Sequence, residues 1–147
     1  MIEILIKIVK TDKELTDAKS VRTEVFQKEQ GIAAEIDFDG KDNEADHIIA
    51  YFDKRPVGTM RIRYIIDGGK VAKIERMAVL REFRGQNIGG RMMEYALDYL
   101  KEKGIEKAVL DAQEHAKKFY EKLGFKQEGE VFMEVGIPHV KMFKIMK

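Results

Sequence analysis

The apolar residues of the chain fall into stretches with two different periods, and these periods predict the secondary structure. Isoleucine- and valine-rich runs bounded by turn residues predict strands over residues 2–9, 47–52, 57–66, 71–79, 107–111, 125–130 and 140–145. Apolar residues three and four positions apart predict helices over residues 12–30, 88–103 and 116–123, each ending near a glycine: Gly31, Gly104 and Gly124. The acidic stretch 35–46 predicts an exposed loop.

The order of these elements predicts the fold class. Asp67, Gly68 and Gly69 form a strong hairpin signal, so we expect the second, third and fourth strands to be antiparallel neighbours. The remaining order of helices and strands places helices around one mixed sheet, which is an α/β or α+β architecture. Because 147 residues suffice for one core of this kind, we predict a single domain over residues 1–147.

Composition narrows the range of functions. Lys and Arg number 27 against 26 for Asp and Glu, and the net charge of +1 gives no electrostatic basis for binding nucleic acid or a membrane. The absence of Cys excludes disulfides, a thiolate nucleophile and thiolate-ligated metal. The three histidines lack the spacing of a helical zinc site, so no metal is expected. With no pattern of a signal peptide or spanning segment, we expect a cytoplasmic protein.

Residues 81–91, with the sequence R-E-F-R-G-Q-N-I-G-G-R, lie between a predicted strand and a predicted helix. The first backbone N–H groups of a helix lack intrahelical partners and lie at the positive end of its dipole, so this segment is suited to binding an anion. It fits neither the P-loop, which needs Lys and then Ser or Thr after its last glycine, nor the dinucleotide fingerprint, which needs a parallel βαβ unit. An ordinary helix start is the alternative interpretation.

Three segments resemble the GCN5-related N-acetyltransferase (GNAT) family. Residues 84–89, R-G-Q-N-I-G, are similar to the acyl-CoA-binding motif of that family, residues 74–80 to its fourth strand, and residues 116–125 to its last helix and following strand. Residues 21–32 and the sequence G-I-P-H at 136–139 resemble the ElaA-like subgroup. Asn87 stands where the motif usually has Gly. Because Asn tolerates a left-handed backbone better than other non-glycine residues, we expect the loop to keep its shape.

The resemblance implies an acetyl-CoA-dependent N-acetyltransferase. Backbone N–H groups of the loop would hold the pyrophosphate, and an opening between the fourth and fifth strands would receive the pantetheine arm as an added strand. Gln113 occupies a place where the family often has Asn and would bond the pantetheine region, or it would cap the last helix. The residues expected at the cofactor are Met77, Ala78, Val79, Arg84, Gly85, Gln86, Asn87, Ile88, Gly89, Gly90, Arg91 and Gln113.

Two side chains are candidates for the acid and base of the transfer. Tyr120 matches the tyrosine on the family's last helix, where its phenol would protonate the departing thiolate; the alternative is a purely apolar role. Strand alternation places Glu75 on the same face as Met77 and Val79, where its carboxylate would take the amine proton through water; the alternative is an exposed ion pair. By analogy, the Val79 N–H would polarise the thioester carbonyl.

The acceptor site is the least defined part of the prediction. Arg22 and Phe26, with Glu29 and Gln30 nearby, would shape it from the first helix, and the alternative is a core Phe26 beside solvated charges. His139 would line the pocket as a base, or would be a hydrogen-bonded surface histidine. Arg61 and Arg63 share one strand face, where they would attract an acidic acceptor or simply be solvated.

We therefore predict acetyl transfer by direct attack of an amine in a ternary complex, without a covalent enzyme intermediate. A non-catalytic acyl-CoA sensor on the same fold is the rival interpretation, because a fold and a cofactor loop do not guarantee turnover. Transfer to a hydroxyl group stays open, since it differs mainly in its need for a base. The expected partner is a small-molecule or peptide amine, and a homodimer is plausible.

Overall fold

The described strands form one seven-stranded sheet in the order β1-β2-β3-β4-β5-β7-β6. The computed structural model of the protein describes residues 3–65 and 70–146. Only β4 and β5 run parallel, and the other neighbours are antiparallel. The predicted mixed α+β sheet is therefore confirmed. The strands are β1 Ile4–Ile8, β2 Asp46–Phe52, β3 Arg55–Ile65, β4 Val71–Val79, β5 Lys107–Gln113, β6 Lys126–Glu134 and β7 Ile137–Ile145.

The helices are α1 Asp12–Arg22, α2 Ala34–Asp37, α3 Ile88–Glu102 and α4 Lys117–Lys122. Thr11 begins α1 with a capping box, in which its side chain accepts a hydrogen bond from the Glu14 N–H. The prediction of one α-helix to residue 30 was wrong in its second half, where Thr23–Glu29 form a π-helix. Its wider turn is closed by the bond from the Gln30 N–H to the Val25 carbonyl, 3.1 Å long. Gly31 follows with a φ of +71°, as a helix terminator requires.

Three predicted boundaries need correction. The acidic stretch 35–46 is not wholly a loop, because it contains α2 and a 3₁₀ turn at Asp42–Glu44. The last two strands extend further than predicted and meet at a tight turn, so His139 lies within β7 and not in a loop. β5 continues to Gln113, and α4 begins after a 3₁₀ turn at Glu114–Ala116. The predicted hairpin residues 67–69 lie outside the described residues, although the antiparallel pairing of β3 with β4 is present.

The core lies between the sheet and the helices on its two faces. Ile48, Met60 and Ile62 of the central strands are fully buried, as are Met92 and Met93 of α3. α3 lies close to the sheet at Gly58, because a Cβ there would lie 2.9 Å from the Met92 methyl carbon and would require that side chain to shift. Burial of this apolar surface fixes α3, and therefore the loop that precedes it, against β3 and β4.

β4 and β5 separate along their length. They are paired only from Val71 opposite Lys107 to Lys73 opposite Val109, whereas β4 continues to Val79 and β5 to Gln113. The predicted opening between these strands is therefore confirmed. It leaves one edge of β4 and one edge of β5 unpaired inside the sheet, a position where backbone donors and acceptors can receive an extended ligand.

A β-bulge at Arg76 changes the face on which the β4 side chains lie. Arg76 has a φ of +56°, and the pairing jumps from Arg61 opposite Glu75 to Thr59 opposite Ala78. The extra residue breaks the two-residue alternation, so Glu75 shares a face with Ala78 and not with Val79. The prediction that Glu75, Met77 and Val79 share one face was therefore wrong.

Candidate active site

A cleft of about 560 Å³ lies where β4 and β5 separate. The π-helical segment and α2 form one wall, and the 3₁₀ turn before α4, α4 itself and the β6–β7 turn form the other. The cleft therefore brings together segments far apart in the sequence. Its walls include most of the predicted site: Phe26, Glu29, Gln30, Glu75, Met77, Ala78, Val79, Arg84, Gln113, Tyr120 and His139.

The loop before α3 has the conformation that its sequence predicts. Gly85 has a φ of +81°, and Asn87 has φ and ψ of 61° and 25°, the left-handed conformation that Asn tolerates. The Ile88 side chain is buried in the core, so only its backbone is available to a ligand. No acceptor among the described residues takes the backbone N–H groups of 85–90, and the first helical bond runs from Arg91 to the Asn87 carbonyl. The loop thus presents a run of free donors beside the cleft.

The two arginines of the loop make different contacts. The Arg84 guanidinium donates to both carboxylate oxygens of Glu29, and its Nε donates to the Val79 carbonyl at 2.9 Å. Arg84 thus connects the loop to the π-helical wall and to β4, and it also lowers the pKa of Glu29. Arg91 is exposed and donates to the Ile4 carbonyl of β1 at 3.3 Å. Gln86 is exposed as well.

The Tyr120 side chain is buried against aromatic neighbours and lines the cleft. Its ring makes edge contacts with Phe119 and Phe125, at centroid distances of 4.9 and 6.1 Å. Burial is the one influence on the pKa of its hydroxyl, with no hydrogen bond from the described residues contributing. Burial raises the pKa of Tyr120 to about 12, so the phenol stays protonated at neutral pH. It can therefore donate a proton but is poorly suited to accept one.

Glu75 is held in an ion-pair network. Arg61 donates to its carboxylate from Nε and Nη2, and Arg63 donates from Nε at 2.9 Å. Burial raises the pKa of Glu75, but the two guanidinium groups outweigh burial, and the net shift is downward. A carboxylate stabilised in its charged form is a weak proton acceptor near neutrality.

The same network contradicts the acceptor roles predicted for three arginines. Arg61 is 1% exposed and also donates to Asp39 and Asp42, so it is not a free site for an acidic acceptor. Arg63 is partly exposed, but its guanidinium is paired with Glu75. Arg22 is likewise 1% exposed. Its guanidinium bonds the carboxylates of Asp37 and Asp42 and does not line the cleft. A buried guanidinium must satisfy its donors internally, which explains why these side chains point inward.

Arg76 was not singled out from the sequence, yet it lines the cleft at the bulge. Its guanidinium donates to the Ile36 carbonyl at 3.2 Å and to the Asp39 carboxylate at 3.3 Å. It is also paired with Asp37 at 3.5 Å. Arg76 therefore combines a left-handed backbone with a side chain that binds two residues of α2, Ile36 and Asp37, at the cleft.

His139 lies at the opposite wall. Its side chain is buried, with 6% of the residue exposed, and it stacks on Phe132 with ring centroids 5.9 Å apart. Nδ1 lies 2.7 Å from the Ile137 carbonyl oxygen, and Nε2 lies 3.6 Å from Glu134. The interpretation of His139 as a surface residue was therefore wrong, and the ring lines the cleft.

Phe26 packs in the core, where it is 9% exposed, and its exposed part lines the cleft.

Gln113 donates to the Gln30 side chain at 3.1 Å and pairs with His115 at 2.7 Å. This amide therefore bridges the two walls and does not cap the following helix, which has no side-chain cap.

Within residues 3–65 and 70–146, no cluster of three His, Asp or Glu side chains is placed to hold a metal ion.

The comparisons with known proteins agree with this architecture. Residues 10–146 match the family model described as Acetyltransferase (GNAT) domain. The chain belongs to the GNAT acetyltransferase family. This GNAT domain is 39% identical over 138 residues to an uncharacterized N-acetyltransferase, YjcF, of Bacillus subtilis, covering 93% of this chain and 96% of YjcF. It is 34% identical over 125 residues to protein ElaA of Escherichia coli, covering 83% of this chain and 81% of ElaA.

Solved structures show the same fold. The GNAT domain superposes on E. coli ElaA with a TM-score of 0.85 and 28% identity, covering 98% of this chain and 99% of that one. A putative N-acetyltransferase from Lactobacillus plantarum gives a TM-score of 0.90 at 24% identity, with 98% and 99% covered. The predicted resemblance to the GNAT family and to ElaA is confirmed. No helix in the described parts of the GNAT domain is long and apolar enough to cross a membrane.

Proposed function

We propose that this GNAT domain transfers an acetyl group from acetyl-CoA to a primary amine by direct attack within a ternary complex. One observation carries the proposal. The free N–H groups of residues 85–90 adjoin a cleft whose walls contain the unpaired edges of β4 and β5 and the buried Tyr120. An anion-binding loop, an open strand edge and a proton donor are the three parts that such a transfer needs.

The loop residues suit the pyrophosphate, and the strand edge suits the pantetheine. Backbone N–H groups from Gly85 to Gly90 would bind phosphate oxygens, with Arg84 exchanging part of its contact with Glu29 for the phosphate. The backbone of Met77, Ala78 and Val79 would pair with the amides of the pantetheine arm. A solved GNAT structure with the same fold, an aminoglycoside 6'-N-acetyltransferase, is described as complexed with coenzyme A, at a TM-score of 0.75 and 17% identity.

We assign Tyr120 as the general acid. The amine nitrogen attacks the thioester carbonyl carbon, the carbon–sulfur bond breaks, and the sulfur takes a proton from the Tyr120 hydroxyl. The apolar neighbours of Tyr120 keep that hydroxyl protonated over the whole neutral range. Glu75 was the base expected from the sequence. Since the guanidinium groups of Arg61 and Arg63 bind its carboxylate, we assign Glu75 a structural role as their ion-pair partner.

Two measurements test the proposal. Calorimetric titration of acetyl-CoA into the protein should give saturable binding, and a thiol-release assay over a panel of primary amines should detect turnover. Binding without turnover on any amine would support the rival function of an acyl-CoA sensor, and turnover confined to alcohols would support hydroxyl transfer. The cytoplasmic location, the single-domain organisation over residues 1–147 and a homodimer stay predictions.

A further inference from the structure

The His139 imidazole is held in one tautomer. Its Nδ1 lies 2.7 Å from the carbonyl oxygen of Ile137, which can only accept a hydrogen bond. Nδ1 therefore carries the proton of the neutral ring, and the lone pair lies on Nε2. Stacking on Phe132 and pairing within β7, opposite Gln113 of β5, fix the plane and position of the ring.

Glu134 lies beside that lone pair. One of its carboxylate oxygens is 3.6 Å from Nε2, and the Glu134 side chain is 53% exposed at the cleft. Among the described residues, every other carboxylate that lines the cleft has a Lys or Arg nitrogen within 4.0 Å, whereas Glu134 is paired only with His139. Glu134 therefore keeps its charge available to stabilise an imidazolium or to attract an ammonium group.

We infer that His139 is the general base of this GNAT domain and that Glu134 is its positioning residue, an inference that rests on the proposed function. The bound ammonium form of the acceptor gives one proton to Nε2 of His139, and the neutral amine then attacks. As the carbon–sulfur bond breaks, Tyr120 gives its proton to the thiolate, and the second proton lost by the nitrogen of the adduct restores the Tyr120 hydroxyl through solvent. His139 returns its proton to water, so the reaction releases one net proton.

The groups that face His139 support this assignment. From β6 it meets Glu134 and the uncharged Phe132, and from β5 it meets the uncharged Gln113. His115 lies beyond Gln113 and is bonded to it. Lys73 and Asp111, which also line the cleft, are paired with each other at 3.2 Å. Among the described residues, Glu134 is the charged side chain that is paired with the His139 ring.

The test combines pH profiles with a spectroscopic measurement on the free protein. H139Q should lower kcat at pH 7 by about 100-fold, and the loss should shrink as the pH rises and solvent deprotonates the amine. E134Q should lower kcat at pH 7 several-fold and leave the KM for acetyl-CoA unchanged, because the imidazolium loses its neighbouring carboxylate. A purely structural Glu134 would not lower kcat while leaving that KM unchanged.

Nitrogen-15 NMR of the His139 ring should show a protonated Nδ1 and an unprotonated Nε2 in the neutral form. An Nε2–H tautomer would overturn the inference, as would wild-type turnover that H139Q retains at pH 7. Acetyl-CoA titration of H139Q separates loss of the base from loss of the fold, because the loop before α3 does not contact His139. If H139Q does not bind acetyl-CoA, the kcat of E134Q and the tautomer of the wild-type His139 ring test the inference. Wild-type protein that binds acetyl-CoA but acetylates no amine would instead refute the proposed function.

Discussion

Arg84 donates two hydrogen bonds to Glu29, from Nη1 at 2.7 Å and from Nη2 at 2.8 Å, across the mouth of the cleft. The two residues are 55 positions apart in the sequence. The guanidinium that belongs to the anion-binding loop is thus already paired with a carboxylate. A phosphate that binds there competes with Glu29 for the same donors.

This competition predicts opposite effects for two substitutions. Arg84→Gln should weaken acetyl-CoA binding about tenfold, because a charge-assisted hydrogen bond is lost. Glu29→Gln should strengthen binding a few-fold, because a negative charge next to the phosphates is removed. Calorimetric titration gives both values. Arg81→Gln is the matched control, because Arg81 is mostly exposed and contacts Glu29 only at 3.4 Å, so it should change affinity less than Arg84→Gln. Equal effects of the two arginine variants would contradict the role of Arg84.

The left-handed backbone of Asn87 predicts a second pair of outcomes. Asn87→Gly should leave acetyl-CoA affinity unchanged or improved, since Gly adopts this conformation without strain. Asn87→Ala should lower the free energy of unfolding by about 1 kcal/mol, because a Cβ without a local polar partner is strained there. Urea unfolding and calorimetry measure both quantities. A large loss of affinity in Asn87→Gly would show that the amide side chain itself binds the ligand.

Tyr120→Phe isolates the proposed acid. We expect kcat to fall about 100-fold, while stability changes by less than about 0.5 kcal/mol, because the hydroxyl has no hydrogen bond to lose among the described residues. With a pKa of about 12, Tyr120 should stay protonated, and activity should show no loss from its ionisation below about pH 10.

Tyr95→Phe serves as the control for Tyr120→Phe. Tyr95 lies on α3, is partly buried against the core and does not line the cleft. We expect this variant to keep the wild-type rate in the thiol-release assay. If Tyr120→Phe also keeps that rate, the thiolate takes its proton from another group.

The buried ion-pair network predicts a large difference between two neighbouring arginines. Arg61→Met should destabilise the protein by about 3–5 kcal/mol at neutral pH, because Asp39, Asp42 and Glu75 each lose a guanidinium partner at a site where Arg61 is fully enclosed. Arg63→Met, at a side chain that is 30% exposed, should cost about 1 kcal/mol or less. Urea unfolding monitored by circular dichroism distinguishes them. Similar costs would mean that solvent reaches the Arg61 site.

The capping box of α1 predicts a dependence of stability on pH. Hydrogen bonds from Lys7 and the Lys10 N–H lower the pKa of Glu14 from 4.5 to about 2. A lowered pKa in the folded state contributes stability that is complete above about pH 4.5 and is lost as the pH falls through about 2. Glu14→Gln should therefore be less stable than wild type at pH 7 and equally stable near pH 2. A difference that persists at pH 2 would point to packing and not to charge.

Local patterns were sufficient to predict the sheet and the conformation of the loop before α3. Strand alternation and helix periodicity are properties of neighbouring residues, and so is the Asn87 turn, whose residues carry their own conformational preferences. The boundaries of β4 and the start of α3 at Ile88 follow directly from such signals.

The polar part of the site could not be predicted in this way. Arg22 and Asp37 are 15 positions apart, and Arg61 and Glu75 are 14 apart, so their burial depends on pairings that no local window contains. The bulge at Arg76 and the π-helical turn each insert one extra residue into a regular period, and everything after the insertion changes face. The predicted face of Glu75 failed for this reason, and the significance of Glu134 went unnoticed because its partner is set by the β6–β7 register.

The separation of β4 from β5 also has a consequence for self-association. Unpaired strand edges usually occur at the outside of a sheet, where a second chain can add to them and start aggregation. Here the free edges face each other inside the molecule, with paired strands on both outer flanks. Because β3 and β7 cover the other edges of these two strands, the backbone at the gap is reached only from within the cleft and not by adding a strand to the outside of the sheet.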